Sequence, residues 1–140
     1  MAKKLLIPLL LFFLPLAVRA ECLDIDGLVL WGTVEAVSRG ADPYLVAGVW
    51  WNESKGDLHA IGQANELGAW QMKWPTYLHL CEQMDREPSL LDFVDTRAQT
   101  EVAVYGLSHG YEGWWTTYGM DIPDWLRDKV DAVLKTLEGT

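Results

Sequence analysis

Apolar residues recur at helical spacing along most of the chain, and strand-like alternation is scarce. Leu28, Trp31, Val34 and Val37 mark one helical stripe, which Ser38-Arg39-Gly40 ends with a glycine suited to the left-handed cap. A second helix is predicted to start at Asp42, a good N-cap, with Pro43 in its first turn. Leu45, Val46, Val49 and Trp50 form its buried side, running towards Glu53 and Ser54. Gly56 breaks that helix, and Gly62 and Gly68 punctuate residues 58–72, predicted as a loop or short irregular hairpin. Helical pattern resumes from Thr76 to about Met84, and Pro88 interrupts it. A further helix is predicted from Asp95 or Thr96, through Val102, Val104 and Leu107, to a stop at Gly110. The last opens with Asp121 and Pro123, places Trp125, Leu126, Val130, Val133, Leu134 and Leu137 on one broad face, and ends at Gly139. The pattern implies a mainly α fold, with one small non-helical excursion directly after Glu53.

The first twenty residues stand apart from this pattern. Lys3 and Lys4 precede an apolar run over residues 5–18, and Val18-Arg19-Ala20 ends in the small-residue manner of a signal-peptidase site. That run has 14 residues, two of them proline, where a membrane span needs about 20. A cleaved secretory signal over 1–20 is therefore expected, with export to the periplasm or the extracellular space and no stable membrane anchor afterwards. The remaining 21–140 fit one domain.

Cleavage removes Lys3, Lys4 and Arg19 and takes the formal charge from −9 to −12. So acidic a chain repels nucleic acid, which is disfavoured as a partner. Only Cys22 and Cys81 are present, and an oxidising compartment makes a disulfide between them the economical assignment. Closing that loop of about 60 residues is worth roughly 4 kcal/mol by chain entropy.

The chemistry concentrates in Val49-Trp50-Trp51-Asn52-Glu53-Ser54-Lys55-Gly56. Its carboxylate is placed at the C-terminal end of an apolar, Trp-flanked helix, where the helix dipole and desolvation both oppose ionisation. A Glu held protonated near neutral pH is what protonation of a glycosidic oxygen requires.

Glu53-Ser54, then Ala60, then Gly68-Ala69-Trp70-Gln71-Met72, then Pro75-Thr76, resembles the motif set of lysozyme-like lytic transglycosylases: Glu-Ser, an Ala-containing loop, Gly-Leu-Met-Gln-Leu/Ile and Pro-x-Thr. The resemblance spans roughly 44–77. It implies a lysozyme-like single domain that cleaves the β-1,4 MurNAc–GlcNAc bond of peptidoglycan glycan strands. It further implies Glu53 as acid/base, Ser54 as the residue that orients it, Gly68 as the turn that lets backbone approach the sugar, and Gln71 as a polar residue lining the cleft. Trp70 stands where the family has a smaller apolar residue and is expected in the core. Lys73 is one residue more than the family spacing before Pro-Thr, and the Ala-Tyr-Asn-Ala-Gly stretch is absent. Tyr105 and Tyr118 are the two candidates for that stretch's tyrosine.

Transglycosylases of this type use one Glu as acid and then base and give 1,6-anhydro ends. Inverting and retaining hydrolases use two carboxylates. Glu66 is the nearby candidate for a second carboxylate, as in a lysozyme-type hydrolase; its other reading is a hairpin residue satisfying local backbone. A catalytically silent glycan-binding or structural module of a phage or secretion apparatus is a further alternative. The eight tryptophans suit a glycan groove. Trp31, Trp50 and Trp125 are expected in the core, and Trp114 and Trp115 cannot both face inward. Asp24-Ile25-Asp26-Gly27 lacks the later ligands of a calcium loop. His59, His79 and His109 have no metal-ligand spacing, so no metal or cofactor is expected. The chain is expected to act as a monomer.

Overall fold

The computed structural model describes residues 23–139. The signal segment and Cys22 lie outside the described residues. Cys81 is fully buried and has no disulfide partner among the described residues.

Six α-helices form the domain among the described residues. They are α1 (Ile25–Arg39), α2 (Pro43–Ser54), α3 (Trp74–Gln83), α4 (Leu90–Val94), α5 (Thr96–Ser108) and α6 (Asp124–Glu138). A 3-10 turn, Glu112–Trp114, lies between α5 and α6. No helix among the described residues is long and apolar enough to cross a membrane.

The caps follow the chemistry of the residues. Asp24 accepts from the Gly27 amide at the start of α1, and Gly40 closes it in the left-handed conformation, φ 72°. Asp42 accepts from the Tyr44 and Leu45 amides to start α2. Asp95 does the same for α5 through the Ala98 amide.

Helix α5 is the centre of the fold. It is packed by α1 on one side and by α3 and α4 on others, while α6 covers α1 and α2. Its run of Ala98, Val102, Ala103, Val104 and Gly106 lets neighbours approach closely. A Cβ at Gly106 would stand 3.2 Å from Leu80. The largest fully buried side chains are Trp50, Trp70 and Tyr77.

Between α2 and α3 the chain makes an irregular hairpin, with antiparallel bridges Ile61 to Leu67 and Leu67 to Met72. Asn65, φ 63°, makes its turn. This is the excursion that the glycines at 62 and 68 predicted.

Several local expectations change. Helix α4 arises where Pro88 suggested only an interruption: Ser89 caps it, and Phe93 anchors it against Trp74 and Tyr77 at ring distances of 5.2 and 5.1 Å. Five residues are too few to show a helical period. Helix α6 opens at Asp124, not Asp121, because the Asp121 carbonyl is turned to accept from the Asn52 side-chain Nδ2, 3.0 Å. Trp125 is 40% exposed rather than in the core, since only Leu126 and Val130 of α6 are buried. It meets Trp51 edge-on at 5.1 Å. Trp31 is only partly buried, with the Arg97 guanidinium over its ring at 5.1 Å. Asp24 and Asp26 are a cap and an ion-pair partner of Lys129.

Candidate active site

Glu53 sits in the last turn of α2, and local geometry explains why the helix stops just beyond it. Lys55 enters the left-handed region at φ 52° while its amide donates to the Trp51 carbonyl, 2.7 Å. Gly56 follows at φ 82°, where a Cβ would stand 2.9 Å from Ile25. Ser54 Oγ donates to the Trp50 carbonyl at 3.0 Å and accepts from the Gly56 amide at 3.2 Å. Ser54 therefore fixes the helix end; its hydroxyl is directed to backbone rather than to the Glu53 carboxyl.

The group that does bond Glu53 comes from far along the chain. Thr117 Oγ1 donates to Glu53 Oε1 at 2.9 Å. Partial burial raises the Glu53 pKa above the ordinary carboxylate value, the Thr117 hydrogen bond lowers it, and the negative charge of Glu66 raises it. Desolvation is the largest of the three, and the net direction is upward.

Glu53 opens on a cavity of about 380 Å³, within the size range of small-molecule sites. Glu66, Gln71 and Met72 wall it from the hairpin, Lys73 and Thr76 from the start of α3, and Trp114, Trp115 and Thr116 from the loop after α5. Glu66 Oε2 accepts from the Ala64 amide at 3.0 Å, so this carboxylate both faces the cavity and satisfies its own hairpin. Gln71 also has both roles. Held at φ 46°, it donates through Nε2 to the Gly68 carbonyl, 2.9 Å, and the Ala60 carbonyl, 3.2 Å, while lining the cavity.

Gly68 lies elsewhere. It borders a separate cavity of about 270 Å³ with Ala60 and Leu67. At φ 76° a Cβ would stand 2.9 Å from Gln99 Oε1, so the backbone conformation and the contact with Gln99 both call for glycine. Gln99 in turn ties the hairpin to α4 and α5 by donating to the Leu67 and Phe93 carbonyls, each at 3.1 Å.

Neither candidate tyrosine borders the Glu53 cavity. The Tyr105 hydroxyl donates to the Gln83 carbonyl at 3.0 Å and its ring stacks on His109 at 3.9 Å. Tyr118 borders a third cavity with Asp42 and Ser108. Hydroxyls of threonine occupy the site instead: Thr76, Thr116 and Thr117.

No family model, curated protein or solved structure matches the chain. The roles of Glu53 and its neighbours therefore rest on residue chemistry and geometry.

Sequence reasoning missed Thr117 and Gly62. A Cβ at Gly62 would fall 2.1 Å from Glu66 Oε2 and 2.7 Å from Gln71 Oε1, so only glycine allows both polar groups to sit there. The glycine is visible in the sequence, but which side chains it makes room for is not. Thr117, 64 residues beyond Glu53, has no local signal at all.

Proposed function

We propose that this protein cleaves the β-1,4 MurNAc–GlcNAc bond of peptidoglycan as a lytic transglycosylase, with Glu53 as acid and then base. The observation that carries this reading is a partly desolvated carboxyl, its pKa raised, at the end of a helix and open to a polar-lined cavity. In the first step Glu53 passes its proton to the glycosidic oxygen as the C1–O bond breaks. In the second, the muramyl 6-hydroxyl closes on C1 and returns its proton to the Glu53 carboxylate, leaving a 1,6-anhydro end and restoring the acid. Thr117 engages Oε1 and leaves proton transfer to Oε2.

Glu66 gives the second reading its support. It borders the same cavity and its charge acts on Glu53, the arrangement a hydrolase needs to direct water. The Ala64 amide already engages its carboxylate, which favours the hairpin role. Purified sacculi separate either enzyme from an inert module: an enzyme releases soluble muropeptides, and an inert module leaves the sacculi intact.

Thr117→Val removes a hydrogen bond that favours the ionised carboxylate, so the Glu53 pKa rises further. The acid form then persists to higher pH, and the alkaline limb of the kcat/KM profile moves up, with kcat about tenfold lower from lost orientation. Thr117→Ser should restore the parent profile. A limb that stays in place in Thr117→Val shows that this hydroxyl does not act on the catalytic carboxyl.

A further inference from the structure

Resting on the glycan reading above, we infer that Trp114 is a sugar-stacking platform, held ready by Tyr111 and His79, that sets the affinity of the Glu53 cavity for the glycan strand. Trp114 is 48% exposed although it follows a packed helix and adjoins a buried tryptophan. The exposed indole borders the cavity that holds Glu53.

Its neighbours fix it in that position. Trp115, 5% exposed, donates through Nε1 to the Trp70 carbonyl at 3.1 Å and pins the loop to the core. The Trp114 amide donates to the Tyr111 carbonyl at 3.0 Å, closing the 3-10 turn. The Tyr111 ring lies 4.8 Å from the Trp114 ring at 57°, and the His79 ring 5.2 Å at 53°. His79 and Tyr111 also meet edge-on at 5.5 Å, so the three rings form one cluster joining α3 to the loop.

An indole held in this way loses little conformational freedom on binding. Its apolar face matches the C–H side of a pyranose, while polar sugar edges remain available to Gln71, Thr76 and Thr116 in the same cavity. The same loop carries Thr117, which bonds Glu53. A sugar seated on Trp114 is thereby registered against the acid.

Co-sedimentation tests this with the Glu53→Gln protein, using sacculi and, separately, glycan strands freed of stem peptides. Trp114→Ala in that background should weaken binding to both about tenfold. Trp114→Phe should recover most of the affinity. In the active protein Trp114→Ala should raise KM with a smaller change in kcat. Binding to stem-free glycan that Trp114→Ala leaves unchanged overturns the platform alone, and the glycan reading survives. Absence of binding by Glu53→Gln itself overturns both.

Discussion

Glu53→Gln is expected to abolish release of soluble muropeptides from sacculi, a loss of at least about 10²- to 10⁴-fold, because the amide is nearly isosteric with the acid yet has no proton to deliver. Its fold should be unchanged by circular dichroism. Stability supplies an independent check. The folded state raises the Glu53 pKa, mainly through burial, so folding favours the protonated form. That contribution is full below the unfolded carboxyl's pKa and is lost as pH rises through the folded value. The glutamine variant has no such loss. Its Tm relative to the parent should therefore climb between acid and neutral pH, and a constant difference across that range contradicts the desolvated carboxyl. Retained activity with an intact fold removes Glu53 from the chemistry.

Trp70→Ala is expected to cost about 3–5 kcal/mol in denaturant unfolding, a large share of the total for a domain of this size. Trp70 is fully buried, donates through Nε1 to Thr100 Oγ1 at 2.9 Å, and meets the Trp115 ring at 6.4 Å. Truncation leaves a void and removes the bond that the Thr100 hydroxyl accepts, leaving it only its own donation to the Thr96 carbonyl. The backbone of Trp70 also anchors Trp115 and precedes Gln71, so activity should fall together with stability. A loss below about 1 kcal/mol contradicts the packing described around α5.

The helices were legible where residue chemistry acts locally. Asp42 and Asp95 sit beside the amides they cap, and Gly40 supplies a backbone conformation other residues resist. The apolar stripe of α2 placed Glu53 at a helix end, and the glycines at 62 and 68 marked the hairpin. Helix α4 was not legible, since its Leu90, Leu91 and Val94 are exposed and only Phe93 points inward. Nor was the exposure of Trp125, because the broad apolar face of α6 is wider than the surface that α1 and α2 offer it.

Within the site, Glu53, Gln71 and Glu66 line one cavity, because the hairpin returns them over a short stretch of chain. Ser54, Gly68 and the tyrosines were assigned by likeness to a motif. In this chain the Ser54 hydroxyl bonds backbone, Gly68 lies against Gln99, the Tyr105 hydroxyl bonds the Gln83 carbonyl and Tyr118 borders a different cavity. Thr117 required the tertiary fold, which brings the loop after α5 onto the end of α2.

The measurement that tests the central claim most directly is the mass of the muropeptides released from purified sacculi by the parent protein and by Glu66→Gln. Transfer to the muramyl 6-hydroxyl gives 1,6-anhydro ends, lighter by one water than hydrolysed ends. Anhydro ends from both proteins are the predicted result and reduce Glu66 to a hairpin residue. Reducing ends from the parent, with activity lost in Glu66→Gln, would contradict the account and make the enzyme a hydrolase that uses both carboxylates.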